Sequence, residues 1–175
     1  MQQPFWMLTP MDAHSIPELW PAGRREADAE LAPVLIPLEF PCVVLENRSE
    51  FADPARFPEK CQVQLIDFER CTEQFSFRTD DYVCIMTRGH LDDLTVLTQI
   101  LKTDVKYIGL IGSARKIKTT FEKLKDLGFC DEDLKRIITP IGIPIGGKSP
   151  AEIAISIAAQ LIQCRCEAPS KYWPR

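Results

Sequence analysis

No run in this chain approaches the roughly 18 consecutive apolar residues that a membrane span needs, and the opening Met1-Gln2-Gln3-Pro4 lacks the basic-then-apolar layout of a secretory leader. A membrane is therefore not expected as a partner, and a cytoplasmic protein is. Lysine and arginine nowhere form a run, and the formal net charge is −4, which argues against binding by phosphate-backbone neutralisation, and so against nucleic acid. Histidine is scarce: His14 lies in the proline-rich start, apart from the segment around His90. Gly-x-Ser-x-Gly and Walker-type loops are absent, which removes two common routes to hydrolytic chemistry. What remains reads as a binding surface more readily than as a reaction centre.

Cysteine is present but shows no framework. Seven cysteines are an odd number in a chain of 175 residues, which is long enough to bury one core of ordinary size without covalent staples. The close pair Cys164-Arg165-Cys166 lacks both the two-residue spacer and the second Cys/His pair of a structural zinc site. Free thiols and no metal are expected.

Four short apolar runs stand out: Cys42 to Leu45, Val63 to Ile66, Tyr82 to Met86 and Tyr107 to Ile111. Runs of this length without polar alternation suit strands buried on both faces. Between the third and fourth, Leu94, Leu97, Ile100 and Leu101 recur at helical spacing and mark a crossover helix. After the fourth, Ser113 is placed as an N-cap, Ile117, Phe121, Leu124 and Leu127 make one face, and Gly128 supplies a stop. Ser149-Pro150-Ala151-Glu152 spells a capping box with proline at the first helical position, ahead of an apolar helix from Ile153 to Ile162. Alternation of strand and helix predicts an α/β fold, a three-layer parallel sheet with helices on both faces. The start is harder to read, since half of the 14 prolines precede Cys42 and Pro33 and Pro37 interrupt a helical run from Ala27 to Leu38.

In such a sheet the ligand lies beyond the carboxyl ends of the strands. Glu46 ends the first clear strand, where a dinucleotide-binding fold places the acid for a ribose hydroxyl; a solvated loop charge is the alternative. Thr87-Arg88-Gly89-His90 offers a hydroxyl and an imidazole at a strand end, followed by Asp92 and Asp93, which could simply complement the helix dipole. Gly109 inside a strand indicates a close backbone approach. Gly112 and Ser113 turn strand into helix, where backbone N–H groups favour an anion, and Lys116 stands one turn in, within reach of a phosphate or of water.

The stretches Tyr82 to Asp93, Tyr107 to Lys116, Pro140 to Gly146 and Ser149 to Ser156 together resemble the Rossmann domain of the XdhC/CoxI family, in the family's order and spacing, over roughly Phe40 to Arg165. The resemblance implies a Rossmann-like domain at 27–166, an irregular or divergent segment at 1–26 and a tail at 167–175. It also implies an accessory protein for a molybdenum hydroxylase of the xanthine dehydrogenase type, which binds molybdenum cofactor (molybdopterin) and delivers it without catalysing turnover. A homodimer and a cysteine desulfurase as a further partner are implied in the same way. Cofactor contacts carry over to Thr87, His90, Gly112, Ser113 and Lys116. The family's Gly-Ala-Gly-His type loop, counted back without gaps from Glu46, falls on Gly23-Arg24-Arg25-Glu26, where only Gly23 agrees, and Leu19-Trp20-Pro21 ahead of it makes a poor buried strand. The stretch before Glu46 is too short for the family's separate N-terminal domain, whose contribution is then expected to be lost or supplied by another chain. Two other readings stay open: a small NAD(P)-dependent oxidoreductase, motivated by Glu46, and a ligand-free interaction module whose Ile153 to Ile162 helix pairs subunits, a contact that Ala158→Arg is expected to break.

Overall fold

The computed structural model describes residues 5–8, 27–87 and 90–166. Six parallel strands form one sheet in the order β3-β2-β1-β4-β5-β6: β1 Phe5–Leu8, β2 Cys42–Glu46, β3 Gln62–Leu65, β4 Tyr82–Ile85, β5 Tyr107–Leu110 and β6 Ile137–Ile138. The four apolar runs are β2 to β5. The strand that the ungapped count places at Leu19 to Pro21 is instead β1, earlier in the chain, seated between β2 and β4 with Leu8 in register with both Leu45 and Ile85. Gly23 and the rest of 9–26 lie outside the described residues, as do 167–175.

Side chains alternate across the sheet because a strand has a period of two. Cys42 and Val44 with Tyr82, Cys84 and Met86 face one layer, built from α1 (Ala27–Leu35) and α6 (Pro150–Cys166). Val43 and Leu45 with Val83, Ile85, Ile108 and Leu110 face the other, where α3 (His90–Ile100) and α4 (Ala114–Asp126) pack, with the short α2 (Cys71–Gln74) and α5 (Asp131–Lys135) beside them. Every residue of β2, β4 and β5 is buried, as helices on both faces require.

The helical punctuation follows the residues. Pro33 sits inside α1, and Pro37 turns the chain into a 3-10 segment at Ile36–Leu38 in place of a continued α-helix. Ser113 caps α4 by accepting from the Lys116 N–H at 3.3 Å. Gly128 follows at φ +92, the left-handed turn that ends the helix. Leu127, expected on the apolar face, is 60% exposed because it is the C-cap itself and points away from the sheet. Ala158 is 3% exposed and packs in the core beside Leu31 and Leu35 of α1. An arginine there disrupts the core, so Ala158→Arg reports on folding and not on subunit pairing.

At the start of α6 the Glu152 carboxylate accepts from the N–H groups of Ser149 at 2.8 Å and Lys148 at 2.9 Å and from the Ser149 hydroxyl at 2.8 Å. These bonds, the Ser149 N–H first, hold its carboxyl down from 4.5 to about 2. A folded-state value below the unfolded one means that the cap's stabilisation is full above about pH 4.5 and is lost as pH falls through about 2. An NMR titration of the Glu152 side-chain carbon is expected to show a midpoint near 2, moving upward in Ser149→Ala.

Candidate functional site

Between β1 and β4 the strand order reverses: the chain winds outward to β3 on one side and to β6 on the other. The next described helices after those two strands, α1 and α3, pack on opposite faces of the sheet, the arrangement in which this fold opens a ligand crevice at the carboxyl ends. The residues that follow β2, β4 and β5 line that edge.

Glu46, at the end of β2, is turned inward. Its Oε1 accepts from the N–H groups of Asn47 and Arg48, both at 3.0 Å, and from Arg48 Nε at 3.3 Å. Burial pushes its carboxyl above the usual range, opposed by the hydrogen bonds and charge of Arg48. The Arg48 guanidinium in turn lies over the Phe51 ring, 3.7 Å from its centroid. Glu46 therefore organises the turn that follows β2 and is no solvated loop charge. A ribose hydroxyl reaching it would join an existing set of donors.

The second group forms where β4 and β5 end. Thr87 is buried, and its hydroxyl donates to Asp93 Oδ1 in the first turn of α3. Lys116 Nζ lies 2.5 Å from Asp93 Oδ2. Asp93 itself is fully buried, while the Lys116 side chain keeps 17% of its exposure. Gly112 makes room for this lysine: a Cβ at that position would stand 3.3 Å from Lys116 Cδ and 3.5 Å from Ile117 Cγ1. Ser113, by contrast, is exposed.

Of the residues singled out from the sequence, the structure thus brings Thr87, Gly112, Ser113 and Lys116 together. Glu46 stands apart, since β1 separates β2 from β4 and two strand spacings amount to about 9.5 Å. His90 opens α3, but its side chain lies outside what the structure describes, as does Gly23. The residue missed as a site member is Asp93. A signal for it exists: Asp93 lies four residues before Leu97 and three before Val96, both buried, so it occupies the apolar stripe of α3. A carboxylate on such a stripe needs a buried partner, which complementing the helix dipole alone does not provide.

The rim beyond β6 is tied down separately. Gln160 of α6 accepts from the Tyr107 hydroxyl at 2.5 Å and the Gly142 N–H at 2.8 Å, and Ser156 donates to the Ile143 carbonyl at 2.5 Å. Gly142 adopts φ +95, and a Cβ there would collide with Ser156 Oγ, so this turn admits only glycine. At Gly109 the close approach comes from side chains: a Cβ would stand 2.5 Å from Ile141 and 2.7 Å from the Tyr107 ring. The cysteines add no reactive group to this edge. Burial pushes the Cys42 thiol up to about 12, and Cys84 is raised well above its ordinary value for the same reason. No three His, Cys, Asp or Glu side chains among the described residues are placed to hold a metal ion, and no described helix is long and apolar enough to cross a membrane.

The strand order and the crevice at its reversal define a Rossmann domain. Residues 19–161 match the XdhC Rossmann domain family, and the chain belongs to that family. It is 28% identical over 154 residues to an uncharacterized Escherichia coli protein, YqeB, covering 87% of this chain and 28% of that protein. It is 26% identical over 149 residues to a probable xanthine dehydrogenase subunit of Bacillus subtilis, covering 85% of this chain and 43% of the relative. The crystal structure of a xanthine dehydrogenase from Bacillus halodurans superposes with a TM-score of 0.74 at 25% identity, over 99% of this chain and 45% of that one. The chain thus spans less than half the length of each of these relatives.

Removing Asp93 takes the counter-charge from Lys116, whose side chain is only 17% exposed. Asp93→Ala is expected to cost about 3 kcal/mol, read as a lower urea midpoint at an unchanged slope.

Proposed function

We propose that this chain is the Rossmann part of an accessory protein for a molybdenum hydroxylase of the xanthine dehydrogenase type, which binds molybdenum cofactor or a related nucleotide and passes it to the enzyme. The observation that carries this reading is the family match across 19–161, joined by two relatives whose names refer to xanthine dehydrogenase. The residues present fit a phosphate-bearing ligand. Exposed Ser113, the glycine turn at 112 and the Lys116 side chain, which keeps 17% of its exposure, stand at the carboxyl edge where this fold takes its ligands. Molybdopterin, once bound, supplies the dithiolene that carries the metal; this chain's described residues supply placement and charge. The roles of partner hydroxylase and cysteine desulfurase, and a homodimeric state, belong to the same proposal. In titrations of the purified protein with molybdopterin, saturable binding is expected, and its absence would sink the reading.

Strand order and Glu46 at the end of β2 favour a second reading, an NAD(P)-binding oxidoreductase. Against it, Glu46 Oε1 already holds three donors. NAD(H) and NADP(H) are expected to leave the melting temperature unchanged, and a saturable rise with either would favour the oxidoreductase.

A further inference from the structure

Asp93 carries a charge to a place where water cannot solvate it, since the residue is fully buried on the inner stripe of α3. A buried carboxylate is tolerated when a counter-charge and hydrogen bonds surround it. Both are present: the Thr87 hydroxyl on Oδ1 and the Lys116 ammonium 2.5 Å from Oδ2. With one oxygen accepting from the Thr87 hydroxyl, the buried carboxylate presents its other oxygen to the ammonium of Lys116. The lysine stem runs close past Gly112, where an added Cβ would stand 3.3 Å from Lys116 Cδ and the stem would have to give way slightly. An ammonium has three donors, and at 17% side-chain exposure Lys116 is not sealed beneath the surface.

We propose that Asp93 is a positioning residue that holds Lys116 as the ammonium receiving an anionic group, of the phosphate-ester class, on the ligand at the carboxyl end of β5. The proposal rests on the cofactor-binding reading for the identity of the ligand, and on the geometry alone for the strut. Asp93 touches no ligand and acts through Lys116. Lys116 alone, free to sample many rotamers, would meet the anion at the cost of ordering its side chain; held by Asp93, it is ordered in advance. Gly112 belongs to the same device, since any side chain there pushes on the stem.

Two readouts test it, with melting temperatures used to check that each variant is folded. First, the side-chain ammonium signals of nitrogen-labelled lysine are recorded by NMR. Lys116 is expected to give a slowly exchanging signal, absent in Lys116→Met, lost by exchange in Asp93→Asn, and shifted by inorganic pyrophosphate in the wild type. Asp93→Asn keeps an acceptor for the Thr87 hydroxyl, and Lys116→Gln serves as a second variant if Lys116→Met fails to fold. Second, molybdopterin affinity is measured through a double-mutant cycle: each single substitution is expected to weaken binding about tenfold or more, and Asp93→Asn to cost nothing further once Lys116 is replaced. Additive losses, or a Lys116 signal that ignores both pyrophosphate and molybdopterin, would overturn the proposal. If molybdopterin fails to bind while pyrophosphate still moves the Lys116 signal, the cofactor assignment falls and the strut stands.

Discussion

Everything at the ligand edge depends on β1 lying between β2 and β4. That placement reverses the winding of the chain and puts α1 and α3 on opposite faces of the sheet, the arrangement in which this fold takes its ligand. It also keeps Glu46 away from the Thr87, Asp93 and Lys116 group, because a whole strand intervenes. Parallel strands with helices on both faces must be apolar throughout, so polar chemistry is confined to the residues just past each strand. Glu46, the last residue of β2, and Thr87, just past β4, mark that limit, and both are buried. They act through the turns they organise.

The two polar groups solve the same problem differently. Glu46 Oε1 is held locally, by the next two backbone N–H groups and the side chain of Arg48. Asp93 is held across the fold, by the Thr87 hydroxyl at β4's end and by the positive charge of Lys116 on α4. A local solution stiffens one turn. The long-range one couples the β4 turn to the β5 turn, which makes it the better candidate for setting the shape of a binding edge. The loop beyond β6, pinned by Gln160 and Ser156 and by a glycine that no other residue can replace without strain, closes the edge on the far side.

Much of this architecture was legible in the residues. Four strands announce themselves as apolar runs, and α4 and α6 carry their own caps in Ser113, Gly128 and Ser149-Pro150-Ala151-Glu152. These signals are short-range, and backbone hydrogen-bond satisfaction makes them binding wherever the chain goes. The failures share a cause. Leu127 belongs to the apolar period of α4 but falls on its last cap. Ala158 has the small size of a helix-pairing residue, yet the partner it admits is the chain's own core beside α1. Each time, periodicity identified a face without identifying what would cover it.

Residue order alone was enough for the fold class, the starts of α4 and α6 and the strand ends at which polar residues gather, because caps, periods and apolar runs are properties of neighbouring residues. It took the assembled sheet to establish that Phe5–Leu8 is the central strand, that Asp93 and not Asp92 joins Thr87 and Lys116, and that Glu46 looks inward. Those outcomes depend on which strands sit side by side, and a contact between residues 93 and 116 leaves no local mark beyond a carboxylate on a stripe otherwise reserved for Val96, Leu97 and Ile100.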